Sequence, residues 1–457
     1  MRRSLDKFSF GRSDPLVIAV WVLLIFSVLF GGASREHVLR LALVELSALP
    51  VAVIAGRRLI QNQDWARHRL LLGMMLALIA IPLFQLIPLP PMIWTHLPGR
   101  ENMVLALELA QVEPSWTSLS LTPDRTWQSA LALLPPVAML LSILAAPHLA
   151  IRLVQLYLGA ALLSMLLGGA QLAAGDRAVY VWATTSAGSV SGFFANRNHL
   201  ATFVLALLPF AILLGAGAVR RREQGTLPIW LAACFTGLAV VVVAAIRSRA
   251  GILIFPPIVA LAIFAAWFAA GRQRPKRAFL LLAGTLSLAI TAVVATTLPA
   301  LLSRFGESVS IGRFDRWPIV AQAAQTYLPF GSGLGSFDPV YRSVEPLGML
   351  DNTFFNQAHN DYLEIWLETG WLGPALLAVF LFWAGRRSLS AWRSPLSTGR
   401  DLAQASMLGL AAILVHSMGD YPLRTVTITT LAALCCACLE IGGGANSKQQ
   451  LRQRGRL

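Results

Sequence analysis

The stretch FNQAHNDYLEIWLETGWLGPALLAVFLFWAG, Phe355 to Gly385, changes character in the middle. Its first half carries His359, Asp361, Glu364 and Glu368, and its second half runs apolar from Pro374 to Ala384. The second half reads as a membrane helix, and the rest of the chain agrees. Of 457 residues 56% are hydrophobic and only 13% charged, more apolar surface than a water-soluble protein of this length can hide. What the polar half does depends on which side of a membrane it faces.

A helix needs about 20 mostly apolar residues to cross the hydrocarbon core, and the sequence offers about twelve such runs. They fall near 16–33, 37–55, 70–89, 127–146, 149–172, 198–219, 227–246, 251–270, 278–300, 371–385, 402–418 and 425–442. The basic N-terminus MRRSLDKFSFGRSDP precedes the first run without a convincing small-residue cleavage site, so that run is expected as a retained helix. With the N-terminus in the cytoplasm, the basic clusters at Arg57 and Arg58, Arg67 and Arg69, and Arg220 to Arg222 all lie inside. So do Arg272 to Arg277, Arg386 to Arg400, and the tail with Lys448 and Arg452. Every even-numbered loop is then basic, as the positive-inside rule requires.

The expectation is an all-α polytopic membrane protein, a single integral membrane domain over 1–457 with about twelve spans and both termini cytoplasmic. Outside lie segments near 90–126, 173–197 and 301–370. The last is a long outer loop, Gly- and Pro-containing and expected to bear short helices. LIPLPPMIWTHLPG, Leu86 to Gly99, is proline-rich and aromatic and is assigned to the interface.

The net charge of +15 is explained by the inner loops, and no basic-aromatic stripe suggests nucleic acid. Cys234, Cys435, Cys436 and Cys438 sit in apolar runs and read as small core residues. His37, His68, His96 and His148 have no partner in the pattern. The chain has no phosphate-binding G-x-x-x-x-G-K-[ST] loop and no Asp-x-Asp pair, so chemistry on the outer side must draw on an activated donor delivered by the membrane.

The outer ends of the spans collect a polar set. Asn196, Arg197, Asn198 and His199 enter the sixth span, and Arg247, Ser248 and Arg249 form a tight turn between the seventh and eighth. Arg313, Arg316 and Trp317 lie in the long loop, and His416, Asp420 and Arg424 end the eleventh span. Arginine suits phosphate because its planar guanidinium offers paired donors and stays charged. Histidine as a residue type titrates near neutral pH, which makes His359 a candidate general base. Asp361, Glu364 and Glu368 share one helical stripe, which is expected as a solvated face rather than a metal site.

In their order these motifs resemble the O-antigen ligase and polymerase superfamily of bacterial inner-membrane proteins. The elements are GFFANRNHLA (192–201), SRAG (248–251), Arg313 with Trp317 followed by PFGSGLGSF (329–337), and His359-Asn360 ahead of Gly370 and Gly373. The resemblance implies a metal-independent, inverting glycosyltransferase without a cofactor. It takes an undecaprenyl-diphosphate-linked glycan as donor and a glycan or lipid-linked sugar as acceptor, with the active site on the periplasmic face. Arg249 and Arg313 match the arginines of the donor diphosphate and His359 matches the acceptor-activating histidine. Arg316 is a helper suggested by its own charge; Asn198, Arg247 and Asn360 are further candidates, and no metal ligand is expected. Gly373 is followed by Pro374-Ala375 where lipid A-core ligases carry a small pair, so ligase and polysaccharide polymerase both stand. A small-anion transporter lined by arginines is the alternative of another class.

Overall fold

The computed structural model describes residues 14–33, 38–182, 189–221, 227–270, 312–350 and 355–442, together with the single residue Gly284. The expected ninth span and residues 301–311 therefore lie outside the described residues, apart from Gly284. Helices stand at the other expected runs: α1 (Pro15–Phe30), α2 (Val38–Gln61), α3 (Arg69–Gln85), and, after a cap segment, α6 (Pro123–Leu131) and α7 (Leu134–Ala145). The cap segment holds α4 (Pro91–Trp94), α5 (Glu101–Leu109) and an antiparallel pair, Pro88–Leu89 with Thr117–Ser118. Then follow α8 (Leu149–Ala174), α9 (Arg197–Arg220), α10 (Leu227–Ile246) and α11 (Arg249–Ala270). The segment after α11 contributes α12 (Gly312–Thr326), α13 (Phe337–Val344) and α14 (Asp361–Thr369). α15 (Leu372–Arg393), α16 (Thr398–His416) and α17 (Val426–Gly442) close the chain.

The protein is thus an all-α membrane protein, in which 7 helices of the described residues are long and apolar enough to cross a bilayer. α1 and α17 are shorter apolar helices. α15 extends to Arg393, further than the apolar run to 385 suggested, because the helix continues through its basic end. Cys435 and Cys438 are buried as expected of small core residues, whereas Cys234 is exposed.

α9 is the centre of the bundle. Its apolar window is 72% buried, whereas the 6 other candidate spans reach at most 44%, so α9 is sheltered all round and the others keep an exposed face. α16 packs on it closely: a Cβ at Gly409 would lie 2.6 Å from the Ala206 carbonyl oxygen.

One end of the bundle is tied by ion pairs between distant helices. Arg58 donates both terminal nitrogens to Asp14, and Arg220 and Arg221 both pair with Asp401. Glu440 takes Arg387 and also His68, at 3.0 Å; the sequence pattern had shown no partner for His68 because this one lies 372 residues away. At the opposite end a small second core of Val320, Ala324, Phe337, Tyr341, Ala358 and Leu367 joins α12, α13 and α14.

Gly409→Val places a branched side chain against the Ala206 backbone and is expected to cost about 1–3 kcal/mol or more through overpacking. Thermal unfolding in detergent measures it; an unchanged midpoint contradicts the close α9–α16 approach.

Candidate functional site

α14 carries the site and is fixed from both ends. Asn360 caps it, its side-chain oxygen accepting from Tyr362 N–H at 3.0 Å and Leu363 N–H at 3.2 Å. The preceding residue, His359, takes φ +51, a left-handed conformation uncommon for a non-glycine residue. The Ala358 carbonyl accepts from Trp317 Nε1 at 2.9 Å, which ties this turn to α12.

The motif PFGSGLGSF proves to be a docking loop. Ser332 N–H and Gly333 N–H donate to the Leu367 and Glu368 carbonyls, each at 3.0 Å, and Gly335 N–H donates to Glu368 Oε1 at 2.9 Å. Gly331 and Gly333 have φ of +81 and +105, and a Cβ at Gly333 would overlap Ser120 Oγ. Gln85 at the end of α3 completes the joint, donating to the Glu368 carbonyl at 2.8 Å and accepting from Leu334 N–H at 2.9 Å.

The acid stripe of α14 corrects the expectation. Asp361, Glu364 and Glu368 do share one face, but they are 1%, 0% and 0% exposed. They converge on Arg424, whose Nη2 lies 2.7 Å from Glu368 and 3.0 Å from Glu364, with Nε 3.9 Å from Asp361. Asp361 also accepts from Ser417 Oγ at 2.8 Å and from Leu423 N–H at 3.3 Å. Spacing along a helix does not distinguish a stripe facing water from one facing a buried cation. Burial pushes the Asp361 carboxyl up to about 7, against the pull of Arg424. Burial raises Glu364 as well, and the neighbouring carboxylates add to it. Burial opposes the charge of Arg424, but Glu364, Glu368 and Asp361 outweigh it and hold the guanidinium charged.

Beside this cluster His359 Nδ1 lies 3.3 Å from Oδ1 of Asp420, itself only 1% exposed. A carboxylate only accepts, so Nδ1–H donates and Nε2 keeps its lone pair. Burial alone would raise Asp420, but the hydrogen bond from His359 and the charges of His199, His359 and His416 outweigh it and hold the carboxyl well below its ordinary range. Tyr421 stands between two imidazoles, edge-on at 4.9 Å to His359 and 5.2 Å to His199. Asn196, the N-cap of α9, reaches its hydroxyl at 3.5 Å. In the sequence His199, His416, Asp420 and Arg424 are only members of the polar set at the span ends, without a role, and Tyr421 is not singled out. Their spacing from His359 hid them, although His416, Asp420 and Arg424 form one polar run after an apolar helix.

Of the expected site residues, Arg313 is exposed at the start of α12, and its charge acts on Tyr421. Arg249 opens α11, capped by Ser248, whose Oγ accepts from Gly251 N–H at 3.2 Å. A Cβ at Gly251 would lie 3.2 Å from Ala201, so this turn rests on the first turns of α9, the helix opened by Asn196 to His199. Arg247 is exposed with φ +54. Arg316 turns inward: it donates to the Met349 carbonyl at 3.0 Å, lies 3.9 Å from Glu345 and covers the Phe355 ring at 5.1 Å. Asn360 serves as the helix cap described above. The backbone N–H of Asn198 donates to the Asn196 cap at 2.9 Å, which explains the first Asn of N-R-N-H better than the second.

Fold and site together define a multi-pass helical membrane protein with a histidine–aspartate pair and arginines gathered at one end of the bundle. Residues 233–378 match the family model described as O-antigen ligase, and this match supports membership of the O-antigen ligase superfamily. The matched segment takes in Arg249, Arg313 and His359 and stops before Asp420 and Arg424. No curated protein matches the chain.

Carboxyls that bind protons more tightly folded than unfolded favour the folded state at low pH, and that advantage is lost as pH rises through the folded value. Asp361 and Glu364 are both raised, so stability is expected to fall from pH 5 to pH 8.5, across the value of about 7 for Asp361. Glu364→Gln should flatten that slope. Unfolding midpoints across this range check it, and a slope that Glu364→Gln leaves intact refutes the assignment.

Proposed function

We propose that the chain transfers a glycan from an undecaprenyl-diphosphate-linked donor to an acceptor hydroxyl, in the manner of an O-antigen ligase, at the periplasmic face of the bacterial inner membrane. About twelve spans, with both termini in the cytoplasm, would put α12 to α14 on that face. The observation that carries the reading is the His359–Asp420 pair, which keeps Nε2 of His359 basic and directed away from its carboxylate, with the charge of Arg313 close by at Tyr421. The family match supports the reaction type in general.

In this proposal Arg249 and Arg313 grip the donor diphosphate. As the sugar–phosphate bond breaks, negative charge grows on the leaving diphosphate, and fixed guanidinium groups stabilise it without reorganising. His359 Nε2 takes the proton of the acceptor hydroxyl as its oxygen attacks the anomeric carbon from the opposite face, which inverts that centre. Asp420 holds the ring in the Nδ1–H tautomer and stabilises the imidazolium that forms. The cations are arginines, and no step is assigned to a metal. Arg316 contributes by fixing α12 against Phe355 rather than by touching the donor. Asn198 and Arg247 flank the two helix starts that would frame the diphosphate.

His359→Gln is expected to lower transfer by roughly 10² to 10⁴-fold while protein level is kept, and Arg249→Ala to abolish it at the concentrations normally present. Full transfer by either stable variant removes that role. Analysis of glycans after gene deletion separates ligase from polymerase. Accumulated lipid-linked polymer with loss of the attached form marks a ligase, and accumulated single lipid-linked units mark a polymerase.

A further inference from the structure

Behind His359 the fold buries polar atoms that no neighbouring group satisfies: Oδ2 of Asp420 and Nε2 of both His416 and His199. These residues are 1%, 0% and 6% exposed, too sheltered for bulk water to supply partners. The protons can be assigned. Thr202 Oγ1 donates its single hydrogen to the Asn198 carbonyl at 3.0 Å, so in its 2.8 Å contact with His416 the ring Nδ1–H must donate. A neutral His416 then presents a bare lone pair at Nε2. Asp420 Oδ2 is also an acceptor only. His199 contacts Thr425 Oγ1 through Nδ1 at 2.8 Å; in the arrangement proposed below that hydroxyl is the donor, which leaves the hydrogen of His199 on Nε2. Two buried acceptors and one buried donor thus lack partners. His199 and Thr202 lie one turn apart on α9 and contact Thr425 and His416, the two ends of the turn that holds Asp420, which puts the three in one neighbourhood.

We propose that one water molecule is built into this place, donating to Asp420 Oδ2 and His416 Nε2 and accepting from His199 Nε2–H. Such a water spends both hydrogens and makes three bonds, as buried waters typically do. Through it His199 and His416 act as positioning residues, holding the carboxylate that orients His359. The consequence for catalysis rests on His359 being the base, as proposed above; the water does not. The other titratable neighbours are Tyr421, between the two imidazoles, and Asp361, on which the charge of Asp420 acts. Arg313 and Glu364 act on Tyr421 from α12 and α14.

The first test is a cryo-electron microscopy map of the full chain in a lipid nanodisc, at a resolution that shows ordered waters. Density within hydrogen-bonding reach of all three atoms is expected. Direct contact between His416 Nε2 and Asp420 Oδ2 with nothing between them overturns the proposal, whether or not the protein transfers glycan. The second test compares His416→Leu with His416→Gln. Both lose the Nδ1–H contact to Thr202, and only Gln keeps an acceptor where Nε2 stood. Leu takes away one of the water's two acceptors and fills its place with apolar atoms, which expels the water. Asp420 then has one donor fewer and turns more of its charge on His359, so His416→Leu should raise the acid limb of the rate–pH profile by about half a unit or more, with donor KM within about twofold. His416→Gln should keep the original limb. An unmoved limb in folded His416→Leu, or a Gln variant displaced as far as Leu, overturns the positioning role. Absence of any glycan transfer by the unaltered protein would instead sink the functional reading and leave the water to the map.

Discussion

The candidate site depends on one buried guanidinium. Arg424 meets Glu364, Glu368 and Asp361 within 2.7 to 3.9 Å. Without it, three carboxyls would stand in a dry interior with no compensating charge, and removal of such a partner costs roughly 3–5 kcal/mol in typical buried pairs. Arg424 enters from the turn between α16 and α17, whereas the acids belong to α14. The ion cluster therefore joins the helix that begins with His359 and Asn360 to the turn that brings Asp420 and Tyr421. The same turn gives α14 two further bonds, from Ser417 Oγ and Leu423 N–H to Asp361. Site geometry and buried electrostatics are one construction.

A second constraint is the docking of the loop Pro329–Phe337 between α3 and α14. Glu368 serves both assemblies, with Oε2 on Arg424 and Oε1 on Gly335 N–H. Gln85 adds a bond to the Glu368 backbone from the end of an apolar helix. α14 is thereby referred to the membrane helices directly, and not only through the loop that carries it. In the proposed transfer, with the donor held in the bilayer, a fixed distance between His359 and the membrane surface is what productive approach of the acceptor would require.

Helical runs were legible in the sequence because a membrane helix is defined by its own composition, residue by residue. The site was legible as far as residue type announces chemistry, in His359 and the arginines of the helix starts. Pairing across the chain was not. The stripe Asp361, Glu364, Glu368 has the same spacing whether it meets water or Arg424, and its partner lies 56 to 63 positions away. His68 found Glu440 across 372 residues. Arg316 carries the same charge as Arg313 three positions earlier, yet one turn of helix separates an exposed side chain from one folded onto Phe355 and Met349.

Two carboxyls stand close to His359, and their environments separate their roles. Asp361 follows it by two residues and is locally the obvious partner. Burial pushes it up to about 7, and its oxygens are engaged by Ser417, Leu423 and Arg424, so near neutral pH it holds a proton part of the time. Such a group is a poor companion for an imidazolium, since it offers a full charge only when deprotonated. Asp420 is equally buried, but the hydrogen bond from His359 and the imidazoles around it hold its carboxyl well below the ordinary range. Two acids whose proton affinities are driven apart by their surroundings can divide labour, one bracing the fold and one serving the base. The distant Asp420, rather than the adjacent Asp361, is therefore the residue through which the fold can keep His359 in a single tautomer, and this is why the turn after α16 belongs to the site even though it lies beyond the matched segment.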